Sequence, residues 1–212
     1  MSHLPIDHSD EPIRLFKSDF LEFFTHITPQ VVLIIWSPVV VYFLLRAVAN
    51  RGASGLPAYI PLGFLGGIFL WTFAEHTLHR FVFHYRPRNA WQERLTFLFH
   101  GIHHAQPQCK TRLVMPPAVS VPMAFLFYGL FTLLFSSLLG APQWVDPLFA
   151  GFILGYLAYD MIHYATHHFR MRSTIGRYLK RHHMRHHYKT PNQRFGVSSP
   201  LWDYVFGTLP GV

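Results

Sequence analysis

Cysteine is almost absent from this sequence, which excludes several kinds of site. Cys109 is the only cysteine among 212 residues, so the chain forms no internal disulfide and has no cysteine frame for zinc or an iron–sulfur cluster. A bound metal ion would have to be held by nitrogen and oxygen ligands. The sequence also lacks a haem, flavin or iron–sulfur motif through which the chain would carry electrons itself.

Charged residues are scarce as well. They make up 13% of the chain, against about a quarter in typical globular domains, while half of the residues are hydrophobic. The net charge of +8 is not accompanied by a nucleic-acid-binding motif, so we expect no nucleic-acid partner. The N-terminus contains Asp7, Asp10 and Glu11 and lacks a basic start with an apolar core, so we expect no cleavable signal peptide.

Long uncharged runs predict membrane helices. Residues 31–45 are almost wholly apolar and with their flanks can cross ~30 Å of hydrocarbon. Pro38 should kink this helix without ending it, because lipid offers the backbone no other hydrogen-bond partner. A later run, 119–140, suits either one helix or a re-entrant hairpin. We predict four spans, at about 30–49, 58–84, 118–140 and 146–168.

The remaining residues form a tail and a cap. Residues 1–29 are predicted to be a tail with a short interfacial helix, and 30–212 the membrane domain, with 85–117 and 169–212 as the cap. Of the 18 Lys and Arg residues, only Arg46 and Arg51 lie outside the tail and the cap side. The positive-inside rule therefore places the cap and both termini in the cytoplasm, in the endoplasmic reticulum membrane of a eukaryote or the inner membrane of a bacterium.

Twelve of the sixteen histidines lie in four clusters on this predicted cytoplasmic side. The clusters are His79-x4-His84, His100-x2-His103-His104, His163-x3-His167-His168 and His182-His183-x2-His186-His187. A single pair of this kind is more often a hydrogen-bonded interior pair than a metal site. Four clusters on one face would leave many buried ring nitrogens without partners unless they share a ligand. About ten well-placed histidines suit two metal ions rather than one.

The motifs that carry these histidines resemble a known family. HRFVFH, HGIHH, RLVMPP, YDMIHYATHH, HHMRHH and FGVSSPLWDYVFGTL, in this order, resemble the fatty acid 2-hydroxylases of the membrane-bound fatty acid hydroxylase/sterol desaturase superfamily over about Trp71 to Leu209. The resemblance implies an all-α membrane protein whose helical cap holds a dimetal site. It also implies an enzyme that uses O2 to hydroxylate C2 of a fatty acyl chain, free or in a sphingolipid.

The resemblance carries a set of expected ligands. They are His79, His84, His100, His103, His104, His163, His167, His183, His186 and His187. His76, His168 and His182 lie outside this set, and Cys109 stands where the family usually has Asp. We expect Asp160 and Asp203 to accept the second N–H of ligand histidines, with iron required for activity and zinc an alternative occupant of the isolated protein.

Electrons would come from a separate donor, a cytochrome b5-like protein or a ferredoxin. Its expected docking surface consists of Arg170, Arg172, Arg177, Lys180, Arg181, Arg185 and Lys189. Alternatives within the superfamily are a sterol or carotenoid oxidase and an acyl desaturase. An alternative of another class is a membrane metal transporter, although transporters place polar ligands near the middle of the bilayer and these spans are uncharged there.

Overall fold

The computed structural model describes residues 6–50 and 56–210, and in this part of the chain it contains helices and no β-strand. Arg51, one of the two cations of the first predicted turn, lies outside the described residues. The α-helices are α1 Asp19–Phe23, α2 Pro29–Ala49, α3 Tyr59–Leu78, α4 Ala90–Thr96, α5 Ile102–Ala105, α6 Pro117–Phe131, α7 Val145–His168, α8 Thr174–Tyr188 and α9 Leu201–Val205. Short π-helical or 3-10 segments adjoin them at His79–Phe83, Phe97–Gly101, Thr132–Leu138 and Pro142–Trp144.

Three helices in the described residues are long and apolar enough to cross a membrane. They are Pro29–Ala49, Pro117–Leu138 and Pro142–His168. The prediction that Pro38 does not end the first helix is confirmed, and 117–138 is one helix rather than a hairpin. The predicted span 58–84 is helical from Tyr59 to Phe83, but Glu75 and the histidines of its last turns lower its hydropathy. The number of spans therefore stays a prediction.

The chain divides into two compact units. One comprises Gln30–Trp71 and Met115–Ala158, and the other comprises the described parts of Met1–Pro29, Thr72–Val114 and Tyr159–Val212. The first contains the most apolar helical segments, and the second contains all four histidine clusters. We call them the span unit and the histidine unit.

Close helix contacts and a few polar bonds hold the span unit together. A Cβ atom at Gly151 would collide with the carbonyl of Phe64, so only glycine permits this approach between α7 and α3. Arg46 forms an ion pair with Asp146 and donates a hydrogen bond of 2.7 Å to the hydroxyl of Tyr128. The partly buried guanidinium is thereby compensated, as a charge in such surroundings requires.

In the histidine unit the N-terminal segment packs on the chain that follows α5. The side chain of Gln106 is the link: its amide nitrogen donates to Asp7 and to the carbonyl of Glu11, and its oxygen accepts from the backbone of Ile13. Gln106 is buried, so these bonds satisfy a polar group that would otherwise be costly to bury. The short helix predicted in the tail is α1, a single turn with Phe20 and Phe23 exposed, and its interfacial position stays a prediction.

Candidate metal centre

Ten histidines of the histidine unit converge in two separate groups. Within each group, five ring nitrogens, one from each residue, all lie within 4.8 Å of one another. Group one consists of His79, His84, His100, His104 and His186, and group two of His103, His163, His167, His183 and His187. Nine of the ten are buried and His104 is partly buried. The structure thus brings together every residue of the expected ligand set, five to each group.

A π-helical turn brings the first pair together. An α-helix would put residues five apart on different sides, since each residue advances by about 100°. The chain from His79 to Phe83 is π-helical, and the N–H of His84 donates to the carbonyl of His79 at 3.0 Å. This wider turn returns to the same side after about five residues. The π-helical turn therefore allows His79 and His84, which are separated by four residues, to belong to the same group.

Two helices contribute histidines to both groups. In α8 the buried face includes His183 and His187, one turn apart in group two, and His186 of group one. In the second cluster His100 and His104 belong to group one, whereas His103 belongs to group two. These helices therefore lie alongside both groups. How they pack against each other determines the positions of the ring nitrogens in both groups.

The distances between nitrogens fit metal coordination. Metal–nitrogen bonds are about 2.0–2.1 Å, so donors at right angles around one ion lie roughly 3.0 Å apart. In group one the Nε2 atom of His100 lies 3.0 Å from those of His79 and His104. In group two the Nε2 atom of His103 lies 3.0 Å from that of His163 and 2.9 Å from that of His187. Each group therefore has the dimensions of one coordination sphere.

Hydrogen bonding alone does not explain these contacts. The Nε2 atom of His186 lies 3.1 Å from that of His84 and 3.2 Å from that of His104. Nδ1 of His186 donates to the carbonyl of Gln193, so Nε2 of the neutral ring carries no proton and offers one lone pair to two neighbours. A shared cation removes this conflict because every Nε2 atom then presents a lone pair. The donor set, five neutral imidazoles with no cysteine, suits iron or zinc.

Burial keeps the ring nitrogens available as ligands. Outside the candidate spans, burial and then the neighbouring histidines hold the pKa values of His100, His103, His104, His183 and His187 well below the usual value. Burial lowers the pKa of His186 to about 4. Neutral imidazoles are the form that binds metal.

The loop 193–195 orients two histidines of group one. Nδ1 of His79 donates to the carbonyl of Phe195 at 2.5 Å, and Nδ1 of His186 donates to the carbonyl of Gln193 at 2.7 Å. Between these carbonyls, Arg194 has a φ of 62°, which is uncommon for a residue with a side chain. The left-handed turn at Arg194 therefore belongs to the arrangement that presents both carbonyls to group one.

Asp203 stabilises this loop through buried hydrogen bonds. Its carboxylate is completely buried and accepts hydrogen bonds from the backbone N–H groups of Phe195 and Gly196, from Thr208 and from His182. Although burial opposes ionisation, these bonds keep the pKa of Asp203 well below its usual range. Asp203 thus supports His79 through the peptide of Phe195.

The hydrogen bonds of Asp160 and Asp203 differ from those expected from the sequence. Asp203 accepts from His182 rather than from one of the ten histidines. Nδ1 of His163 is buried and has no hydrogen-bond partner within residues 6–50 and 56–210, so this histidine does not donate to Asp160, which lies one helical turn before it. A helical turn brings the backbones of these two residues near each other but does not direct the ring toward the carboxylate. Asp160 is itself buried.

Glu75 was not recognised as part of the site from the sequence. It is buried and accepts from the backbone N–H groups of Val197 and Ser198, and from the hydroxyl of Ser198. It therefore fastens the residues that follow loop 193–195 to α3. Its position in the sequence could have indicated this role: Glu75 is the only acidic residue in a long apolar run, and acidic residues in membrane segments usually have a function.

The histidines outside the expected ligand set also lie outside both groups. His182 and His76 are buried next to Asp203: Nε2 of His182 lies 3.0 Å from the carboxylate, and Nε2 of His76 lies 3.5 Å from it and 3.2 Å from the hydroxyl of Thr208. His168 is partly buried. Cys109 is buried, with its sulfur 3.8 Å from the hydroxyl of Thr111.

Comparison with known proteins gives concordant matches. The family model described as fatty acid hydroxylase matches residues 64–208. A dihydroceramide fatty acyl 2-hydroxylase of Arabidopsis thaliana, FAH1, is 40% identical over 98% of this chain and 84% of its own length. The fatty acid 2-hydroxylase of Mus musculus is 35% identical over 93% of this chain and 57% of its own length.

A solved structure is also similar. It is that of full-length scs7p, in which only the hydroxylase domain is visible, with a TM-score of 0.81 and 39% identity over 91% of this chain and 70% of that one. The family match covers most of the chain, and the similarity to the Arabidopsis relative extends over nearly all of it. The chain therefore belongs to the fatty acid hydroxylase family, which confirms the resemblance that its motifs indicated.

Proposed function

We propose that this protein is a monooxygenase that hydroxylates C2 of a fatty acyl chain, free or in a ceramide-like lipid. The observation that supports it most directly is the pair of five-nitrogen histidine groups in a member of this family. The relatives named above are fatty acid or dihydroceramide acyl 2-hydroxylases, which supports C2 as the position of attack. The C–H bond there resists removal by side-chain acids and bases, so the reaction needs an oxidant.

Each histidine group would hold one metal ion. When bound, the two ions supply the redox chemistry that activates O2, so that one oxygen atom enters the substrate and the other leaves as water. The protein directs one nitrogen of each of the ten imidazoles toward the site. The carbonyls of Phe195 and Gln193 hold the rings of His79 and His186 in position. We propose iron as the active metal, and nitrogen-rich sites also bind zinc tightly.

The required electrons would arrive through α8. One face of this helix carries the buried His183, His186 and His187, and the other exposes basic residues that include Arg177, Arg181 and Arg185. A helix is only about 10 Å across with its side chains, so a donor docked on the basic face would lie close to both groups. An acidic carrier, such as a cytochrome b5-like protein or a ferredoxin, suits this surface.

The membrane arrangement is proposed from charge. The candidate membrane helices carry few charges, and the basic residues of the cap would face the cytoplasm together with both termini. The same charge would attract the anionic lipids of the inner leaflet. The histidine groups would then lie on the cytoplasmic side.

Product analysis tests this function. Purified protein reconstituted with iron, an electron donor and a saturated acyl lipid should yield a 2-hydroxy acyl product that takes its new oxygen from labelled O2. A product with a new double bond would instead indicate a desaturase, and an oxidised sterol would indicate a sterol oxidase. His186→Ala, which removes one nitrogen from group one, serves as the inactive reference.

A further inference from the structure

A basic cavity opens beside group one. It has a volume of about 540 Å³ and is lined by residues that include Arg80, Arg86, Arg88, Asn192, Phe195 and His84. His84 belongs to group one, and its ring packs against that of Phe195 with centroids 5.6 Å apart. The cavity therefore extends from solvent to a histidine of the candidate metal centre.

The arginines of this cavity lack counter-charges. Arg14, Arg46 and Arg112 each form an ion pair with a carboxylate. No such pair involves Arg80, Arg86 or Arg88 in the chain from 6 to 50 and from 56 to 210. Three guanidinium groups that share one cavity repel one another until an anion enters it.

The chemistry of the lining favours a phosphate. Arginine binds phosphate and carboxylate oxygens through two parallel hydrogen bonds, and Asn192 adds an amide donor. The volume exceeds what a carboxylate requires and lies in the range of ordinary ligand sites. In a sphingolipid with a phosphorylated head, only a few bonds separate the phosphate from C2 of the N-acyl chain. A phosphate in this cavity would therefore leave C2 near His84.

We propose that this cavity is a subsite for the phosphate of an acylated lipid substrate, formed chiefly by Arg80, Arg86 and Arg88. This inference rests on the proposed function and adds a charge preference to it. The cavity would favour a phosphorylated sphingolipid over a neutral ceramide with the same acyl chain. Arg86 and Arg88 are exposed and can be changed without disturbing the core.

The test compares binding with turnover. The variant Arg86→Gln/Arg88→Gln and the control Arg94→Gln, which replaces an exposed arginine outside the cavity, are reconstituted in phosphatidylcholine nanodiscs. Equilibrium binding is measured for ceramide 1-phosphate, ceramide and a free fatty acid, all with the same acyl chain. We expect the Kd of ceramide 1-phosphate to rise at least ~10-fold in the double variant, as loss of charge-assisted hydrogen bonds implies. The KM for ceramide 1-phosphate should rise together with this Kd, while kcat is unchanged.

Each other outcome overturns the proposal. An equal loss for ceramide and ceramide 1-phosphate would mean that the arginines support the fold or membrane placement. A loss as large for the fatty acid would mean that a carboxylate is recognised. An effect that appears only on adding phosphatidylserine to the nanodiscs, without preference between substrates, would assign the cavity to bilayer headgroups. Binding requires no turnover, so failure of the wild type to hydroxylate any of the three lipids would contradict the proposed function separately.

Discussion

His103 and His104 are neighbours in the chain, yet their ring nitrogens belong to different groups. Nε2 of His103 lies 2.9 Å from that of His187 in group two. Nε2 of His104 lies 3.0 Å from that of His100 in group one. Their two side chains leave α5 in directions about 100° apart. One short helix therefore separates two candidate coordination spheres.

Single alanine substitutions should therefore remove one ion each. We expect His103→Ala and His104→Ala each to lower the metal content from about two ions per chain to about one, because each group would lose one of its five nitrogens. Both variants should lose product formation. His168→Ala, outside both groups, should keep both ions. Elemental analysis of the purified proteins measures this, and loss of both ions in either variant would indicate one shared site.

Asp203→Asn should weaken both the fold and group one. The amide keeps the size of the carboxylate but turns a donor toward groups that themselves donate. We expect a loss of about 3 kcal/mol in the free energy of unfolding, the upper end for hydrogen bonds to a charged group, and a 10- to 100-fold lower metal affinity. Thermal unfolding and metal titration measure these changes. Asp19→Asn, at an exposed ion pair, is the control, and equal behaviour of the two variants would contradict the role of Asp203.

Arg194 allows backbone conformation to be separated from side-chain effects. Arg194→Gly and Arg194→Val both remove the guanidinium, but only glycine adopts a positive φ freely. We expect the glycine variant to keep its metal and its Tm. The valine variant should lose about 1–2 kcal/mol of stability and part of the metal in group one, because the carbonyls of Gln193 and Phe195 would turn away. Matching Tm values and metal contents would show that the turn is not needed.

The basic surface of the cap should affect electron delivery. Arg172→Glu/Arg177→Glu should lower hydroxylation about tenfold when the donor is limiting, because the surface keeps five basic residues but attracts an acidic donor less strongly. Excess donor and low ionic strength should restore most of the rate. Arg94→Glu is the control for a charge reversal elsewhere in the histidine unit. A deficit of the same depth at every donor concentration would assign these arginines to membrane placement or to cap stability.

Several features followed from the sequence because they depend on local chemistry. Because the chain has only one cysteine, histidine was predicted to be the main metal ligand. The spacing of His163 and His167 predicts two rings on one face of α7. Uncharged runs indicated helices 29–49, 117–138 and 142–168 within a few residues. These signals arise within one turn or one segment of the chain, so neighbouring residues are sufficient to produce them.

The division into two groups was decided by the tertiary structure. The helical repeat predicts which histidine rings share a face of a helix. It does not predict which of the two groups each ring joins, because that depends on how α5, α7 and α8 pack. The π-helical turn from His79 to His84 is local, but the hydrogen bond from Val197 to Glu75 joins residues 122 apart in the chain. Sequence chemistry thus determined which residues are suited to bind metal. Long-range packing decided which of them meet and which carbonyls orient them, because such contacts exist only once distant segments are brought together.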